Sequence, residues 1–220
     1  YDGKGQVRLT SPADAARALE AIAGAPAILE GMVDFAREVS VIAARGLDGR
    51  VVAYEPGENV HEGGILRTTT IPARLSAAER EAATGIAAKI LHALDYVGVI
   101  GVELFVTKDG LLVNEFAPRV HNTGHWTQNG CAVDQFEQHI RAVAGWPLGA
   151  TDRVADVTME NLIGFDIERL PVLATTPGAA IHVYGKAEAR PGRKMGHYNC
   201  LAPTLDEALS IATETRAALG

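Results

Sequence analysis

The strongest constraint on the fold is a pair of apolar runs, residues 97–107 and 111–117, joined by Lys108-Asp109-Gly110. Branched and aromatic residues flanking a short turn that ends in glycine predict an antiparallel hairpin. A three-residue loop with Gly110 in the left-handed position sets Glu103 directly opposite Glu115. Both strands are otherwise apolar, so two carboxylates share one site in a mostly buried sheet. Like charges directly opposed across strands are destabilising, and burial adds to the penalty. A divalent cation removes the conflict, and one or two carboxylates completed by phosphate oxygens are the ligands that Mg²⁺ prefers. A different turn register would instead put one glutamate on a solvent face.

Other elements flank this hairpin. Residues 11–23 read as a short helix with Ser11 as N-cap and Pro12 in its first turn. Strands are expected at 27–33, at 38–44 and 50–54 on either side of Asp48-Gly49, and at 64–70 before Pro72, so this half is antiparallel sheet. Ser76-Ala77-Ala78-Glu79 forms a capping box, and Ile86, Ile90, Leu91 and Leu94 mark one face of the helix behind it, which runs to Asp95. Residues 133–144 predict a second helix closed by Gly145. A smaller module follows, with strands at 157–163, 180–184 and 196–201 and a last helix opened by the capping box Thr204-Leu205-Asp206-Glu207.

With 220 residues, 47% apolar and 21% charged, the chain can bury a core of one or two domains. No apolar run approaches the roughly 18 residues of a membrane helix, and no secretion signal is visible at the N-terminus. Cys131 and Cys200 are too few for a disulfide framework, which suits a reducing cytoplasm. A formal charge of -7 argues against a general nucleic-acid binder. Residues 114–126 gather Asn114, Glu115, Arg119, His121, Asn122 and His125 in an irregular stretch, the usual setting for a site held on a rigid scaffold. The spacing of His121 and His125 suits zinc only on a helix, which Pro118 and Gly124 disfavour.

Six runs in order carry a specific resemblance. They are Tyr1-Asp2-Gly3-Lys4-Gly5-Gln6; Glu30-Gly31-Met32-Val33 with Glu38; Val60-His61; residues 114–126; Gln135-Phe136-Glu137-Gln138-His139; and Tyr184-Gly185-Lys186 with Arg190-Pro191-Gly192-Arg193-Lys194-Met195-Gly196-His197. Together they resemble the N5-carboxyaminoimidazole ribonucleotide synthetases of the ATP-grasp superfamily. The resemblance implies an α+β chain. An ATP-grasp fold of antiparallel sheets with flanking helices would occupy residues 1–149, and a small C-terminal β-rich module for the substrate phosphate would occupy 150–220. An N-terminal Rossmann-like domain, present in that family, is absent from this chain, which is therefore expected to be incomplete as an enzyme.

The resemblance also implies roles. Gly3, Lys4, Gly5 and Gln6 would cradle the ATP phosphates, glycine letting backbone amides approach an anion. Glu30, Gly31, Met32 and Val33 would meet the adenine, Glu38 the ribose hydroxyls, and His61 and Asn114 would lie at the nucleotide. Glu103 and Glu115 become ligands of Mg²⁺, with two ions possible; Ala117 stands where many ATP-grasp enzymes have a further Asn ligand. Arg119 would stabilise transferred charge. Tyr1, Asp2, His121 and Asn122 would contact the aminoimidazole, while Lys186, Arg190 and Arg193 would hold the ribotide phosphate.

The implied reaction is ATP-dependent carboxylation of aminoimidazole ribonucleotide by bicarbonate in purine biosynthesis, by a cytoplasmic homodimer that binds neither nucleic acid nor membrane. Alternatives are a formate-dependent glycinamide ribonucleotide transformylase, a biotin-carboxylase-type ligase, and a non-catalytic nucleotide-binding piece.

Overall fold

The computed structural model describes residues 5–219. Its elements in chain order are α1 (Ala15–Ala21), β1 (Arg37–Arg45), β2 (Val51–Ala53), β3 (Gly57–Glu62), β4 (Ile65–Ile71), α2 (Ala77–Ala93), β5 (Gly98–Thr107), β6 (Gly110–Ala117), α3 (Thr127–Gly130), α4 (Gln135–Val143), β7 (Asp156–Ile163), α5 (Leu170–Leu173), β8 (Ala179–Val183), β9 (Lys194–Ala202) and α6 (Leu205–Leu219). All strands join one antiparallel sheet in the order β6-β5-β1-β3-β4-β7-β9-β8, with β2 paired to β1. The strands of the C-terminal module extend this sheet through the β4–β7 ladder.

The capping box of α2 acts as the sequence predicts. The Ser76 side chain accepts from the Glu79 amide, Glu79 returns the bond to Ser76, and Asp134 accepts from the amides of Phe136 and Glu137 to start α4. The core face of α2 is lined by Ala83, Ala87 and Leu91 with Ile86 and Ile90 beside them. Leu94 lies past the helix end and is exposed.

Strand alternation divides the sheet into two faces. One face presents Val39, Val41, Val102 and Leu104 to α2, and Tyr198, Cys200 and Leu162 to α5 and α6. Within it the buried Glu160 accepts two hydrogen bonds from Arg216 of α6, at 2.9 and 2.8 Å, and one from Tyr198 at 2.9 Å. Arg216 also donates to Thr68 of β4, so one guanidinium ties α6 to two strands. The opposite face carries a second core of Ile42, Ile71, Val99, Trp126, Met159 and their neighbours, against which α4 packs.

Three expectations change. Residues 27–33 form no strand, and Ile28, Leu29 and Met32 are exposed. A strand needs a ladder partner, and β1 is already flanked by β5 and β3, so the segment before it has no open edge there. The unexpected strand β3 takes that place with a largely polar sequence. β6 is also an exposed edge strand, with Leu112, Val113 and Phe116 open to solvent, so only the β5 half of the hairpin is buried.

Replacing Arg216 by Met leaves the Glu160 carboxylate, 3% exposed, without its bidentate partner. The expected loss in urea unfolding is about 3 kcal/mol, with a smaller loss when Glu160→Gln is added; unaltered stability of the single variant would contradict this role.

Candidate active site

The hairpin reaches the expected pairing by another route. Thr107 pairs with Gly110, which leaves a turn of only Lys108 and Asp109, and this register continues to Leu104–Val113. A β-bulge then inserts Asn114, and Glu103 pairs with Glu115 after all. Burial raises the Glu103 pKa above its ordinary value and Glu115 and Glu38 add to the rise, while His61 and Lys194 oppose it. Glu115 itself is exposed at the edge.

Two further bulges flank this face. One between Val60 and His61 marks the β3–β4 ladder. The other makes Lys194, rather than Met195, the partner of Ile163 on β7, and so brings Lys194 to the same face as Glu103. Its ammonium is half-buried, and burial lowers its pKa against the pull of Glu103. Gly196 permits the local crowding, because a Cβ there would stand 2.4 Å from the His182 carbonyl oxygen.

His61 Nδ1 lies 2.5 Å from Glu38 Oε2. That hydrogen bond raises the His61 pKa, outweighing burial. His121 lies across Gly101, where a Cβ would meet the His121 Cβ at 2.6 Å, so only glycine lets the imidazole rest on β5. The Thr123 amide donates to His121 Nδ1 at 3.4 Å, with the Thr123 hydroxyl 2.9 Å from the same nitrogen, which leaves the ring proton on Nε2, 3.5 Å from Glu103. Burial pushes His121 down to about 4, so at neutral pH this is a contact of a neutral ring with a carboxylate rather than an ion pair.

Gln135, fully buried, clamps this loop: it accepts from the His121 amide at 2.9 Å and donates to the His121 carbonyl at 2.8 Å. Gln138 holds the Gly149 backbone, and His139 Nδ1 accepts from the Val99 amide. The run 135–139 thus has a positioning task. Asn122 exchanges two 2.8 Å bonds with Asn161 of β7.

In the basic loop, Lys186 Nζ donates to the Lys194 carbonyl at 2.5 Å and lies 5.5 Å above the Tyr184 ring. Arg193 donates to the Glu188 carbonyl, and Arg190 forms an exposed ion pair with Glu188 at 2.6 Å. Arg119 is exposed and donates to the Val120 carbonyl; its charge acts on Lys194 and His121.

Gly5 and Gln6 are exposed, whereas Tyr1, Asp2, Gly3 and Lys4 lie outside the described residues. Glu30, Gly31 and Met32 are exposed, and Val33 lines a cleft of about 430 Å³ with Asp34 and the β5–β6 turn. An open cleft of about 450 Å³ beside Glu55, Asp152, Arg153 and Asp156 shares no residue with this face.

The face therefore unites Glu38, His61, Glu103, Glu115, His121, Asn122 and Lys194. The Glu103–Glu115 donor set is all oxygen, which fits a hard divalent cation completed by water and phosphate oxygens. Among the described residues no group of three or more His, Cys, Asp or Glu is arranged to hold a metal without such outside ligands. Sequence reasoning missed Tyr184 and Asn161 as site residues; that Lys194 of the basic turn comes to the Glu103 face was signalled only by Gly196 inside a strand, a mark of a bulge.

A family model for the ATP-grasp domain matches residues 1–136, and one for the phosphoribosylaminoimidazole carboxylase C-terminal domain matches 157–211. The N5-carboxyaminoimidazole ribonucleotide synthase of Brucella melitensis is 61% identical over 206 residues, covering 92% of this chain and 57% of that protein. A structure of an N5-carboxyaminoimidazole ribonucleotide synthetase with ADP superposes with a TM-score of 0.93 at 42% identity, covering 98% of this chain and 58% of that one. One from Aspergillus clavatus with ADP and the aminoimidazole ribonucleotide gives 0.92 at 35%, covering 97% and 59%. The chain thus spans a little over half the length of these relatives. No helix among the described residues is long and apolar enough to cross a membrane.

Because folding raises the His61 pKa, its pair with Glu38 stabilises the fold fully below the unfolded histidine value of about 6.5. That contribution is lost as pH rises through the folded value. In Glu38→Gln the His61 pKa should fall, read by NMR titration of the imidazole protons; an unchanged value would contradict the pairing.

Proposed function

The chain belongs to the ATP-grasp family, and from that premise we propose that it is the nucleotide-, metal- and ribotide-phosphate-binding part of a ligase that carboxylates 5-aminoimidazole ribonucleotide with ATP and bicarbonate in purine biosynthesis. The observation that carries this reading is one sheet face on which the Glu103–Glu115 pair adjoins Lys194 and, through its carbonyl, Lys186. A cation site and a phosphate site then lie side by side. Residues 1–149 form the ATP-grasp part and 150–220 the module for the ribotide phosphate.

In this reading a bicarbonate oxygen attacks the γ-phosphorus as the bond to ADP breaks, giving carboxyphosphate. Carbon dioxide released from it, with phosphate, is then captured by the exocyclic amine, which loses a proton. The chain contributes positioning and charge. The 430 Å³ cleft beside Val33 receives the adenine edge along Glu30, Gly31 and Met32, and Glu38 accepts from the ribose hydroxyls with His61 holding its carboxylate. Gly3, Lys4, Gly5, Gln6 and Asn114 attend the triphosphate. Glu103 and Glu115 hold one or two Mg²⁺ ions, which neutralise phosphate charge when bound.

Arg119 stabilises the transferred group, His121 and Asn122 line the aminoimidazole pocket, and Tyr1 and Asp2 orient its amine. Lys186, Arg190 and Arg193 bind the ribotide phosphate. A second copy of the chain covers the exposed apolar residues Ile140 and Val143 of α4 and Trp146 just beyond it, giving a cytoplasmic homodimer.

The test is ADP release by the full-length gene product with ATP, Mg²⁺, bicarbonate and 5-aminoimidazole ribonucleotide. Release should require both bicarbonate and the ribotide; release driven by formate would refute the proposal. Arg193→Ala should raise KM for the ribotide about tenfold or more, as for loss of a charged hydrogen bond, with KM for ATP little changed. Equal effects on both would remove Arg193 from the phosphate site.

A further inference from the structure

Behind the basic loop stands a column of stacked rings. His125 stacks on Phe136 at 5.6 Å and on His197 at 4.6 Å, and His197 stacks on His182 at 4.6 Å, with interplanar angles of 13°, 16° and 12°. Burial pushes His125 down to about 3 and His197 to about 2, so both rings are neutral. Each neutral ring carries one proton, and its neighbours decide where. Gln135 donates to His125 Nδ1 at 3.0 Å, while His182 Nε2 faces Asn129 Oδ1 at 2.8 Å, an oxygen that also accepts from Asn199.

His197 is the informative member. It is 1% exposed, its Nδ1 lies 2.9 Å from the Tyr184 hydroxyl, and its Nε2 has no hydrogen-bond partner. If the proton sat on Nε2, a buried N–H would be orphaned, the rarer and costlier defect. With the proton on Nδ1, His197 donates to the Tyr184 oxygen. The phenolic proton then has no acceptor among the described residues. Lys186 lies over the same ring, which places an ammonium and a hydroxyl donor near one another.

We infer that Tyr184 donates its hydroxyl proton to an anionic oxygen of a phosphate monoester beside Lys186, with His197 as the positioning residue that directs that proton outward. This rests on the proposed function only in naming the ribotide as the phosphate's source; the γ-phosphate of ATP is the other source of the same chemistry.

Three measurements on the full-length gene product decide it. In ¹⁵N NMR spectra of the wild type, the His197 proton should reside on Nδ1. Tyr184→Phe, which keeps the ring under Lys186, should raise KM for the ribotide about tenfold, leave kcat and KM for ATP unchanged, and weaken inorganic phosphate binding read from the Lys186 resonances. A proton on His197 Nε2, equal shifts in both KM values, or unaltered phosphate binding would overturn the inference. Absence of ribotide-dependent turnover in the wild type would refute the functional reading alone, since the phosphate titration still judges Tyr184.

Discussion

Two carboxylates facing each other across a ladder, one of them on a buried strand, are the constraint around which the rest of the molecule is arranged. Glu103 sits on β5, in the interior of the sheet, where burial disfavours its charge and Glu115 adds repulsion. Left alone, such a pair would push the hairpin toward another register. The bulge at Asn114 does the reverse and delivers Glu115 to Glu103 from a turn whose own register would have paired Glu103 with Asn114. Around the pair the sheet supplies partial compensation from His61 and Lys194, the latter aimed by a bulge of its own. Destabilisation tolerated at one place and offset by neighbours is the signature of a site.

Rigidity behind that face comes from buried amides and neutral rings. Gln135 fixes the backbone of His121, Asn122 is locked to Asn161, and the imidazole column supports Tyr184 and thus Lys186. Most polar atoms in this layer have a partner, and such a network favours one geometry because an alternative strands further buried groups. On the other face, Glu160 and Arg216 anchor α6 to β7, so the module bearing the basic loop keeps its register with the strands bearing the carboxylates.

Much of this was legible in the residues. The capping box at Ser76, the N-cap at Thr204, the β5–β6 hairpin and the strands of the C-terminal module follow from local chemistry, whereas Glu103 meets Glu115 through a bulge and not through the three-residue loop that the sequence suggests. Bulges were not legible, because a bulge is decided between two strands and leaves little local trace beyond a glycine such as Gly196. The same limit hid β3, whose polar residues only make sense beside β1 and β4. It also explains the misreading of 27–33, where apolar residues are present but β1, the strand that follows, is already flanked by β5 and β3. The column of His125, His197 and His182 gathers residues far apart in sequence, so the stacking of their rings is visible only in three dimensions.

The central claim is that the bulged hairpin builds a divalent-cation site from Glu103 and Glu115. Its most direct test is the affinity of the ATP-bound full-length gene product for Mn²⁺, measured by electron paramagnetic resonance, in the wild type and in Glu115→Gln. Removing one charged ligand without changing volume should weaken binding by about tenfold or more while the thermal midpoint is held or rises as the repulsion is relieved. Equal Mn²⁺ affinity in the two proteins would contradict the claim.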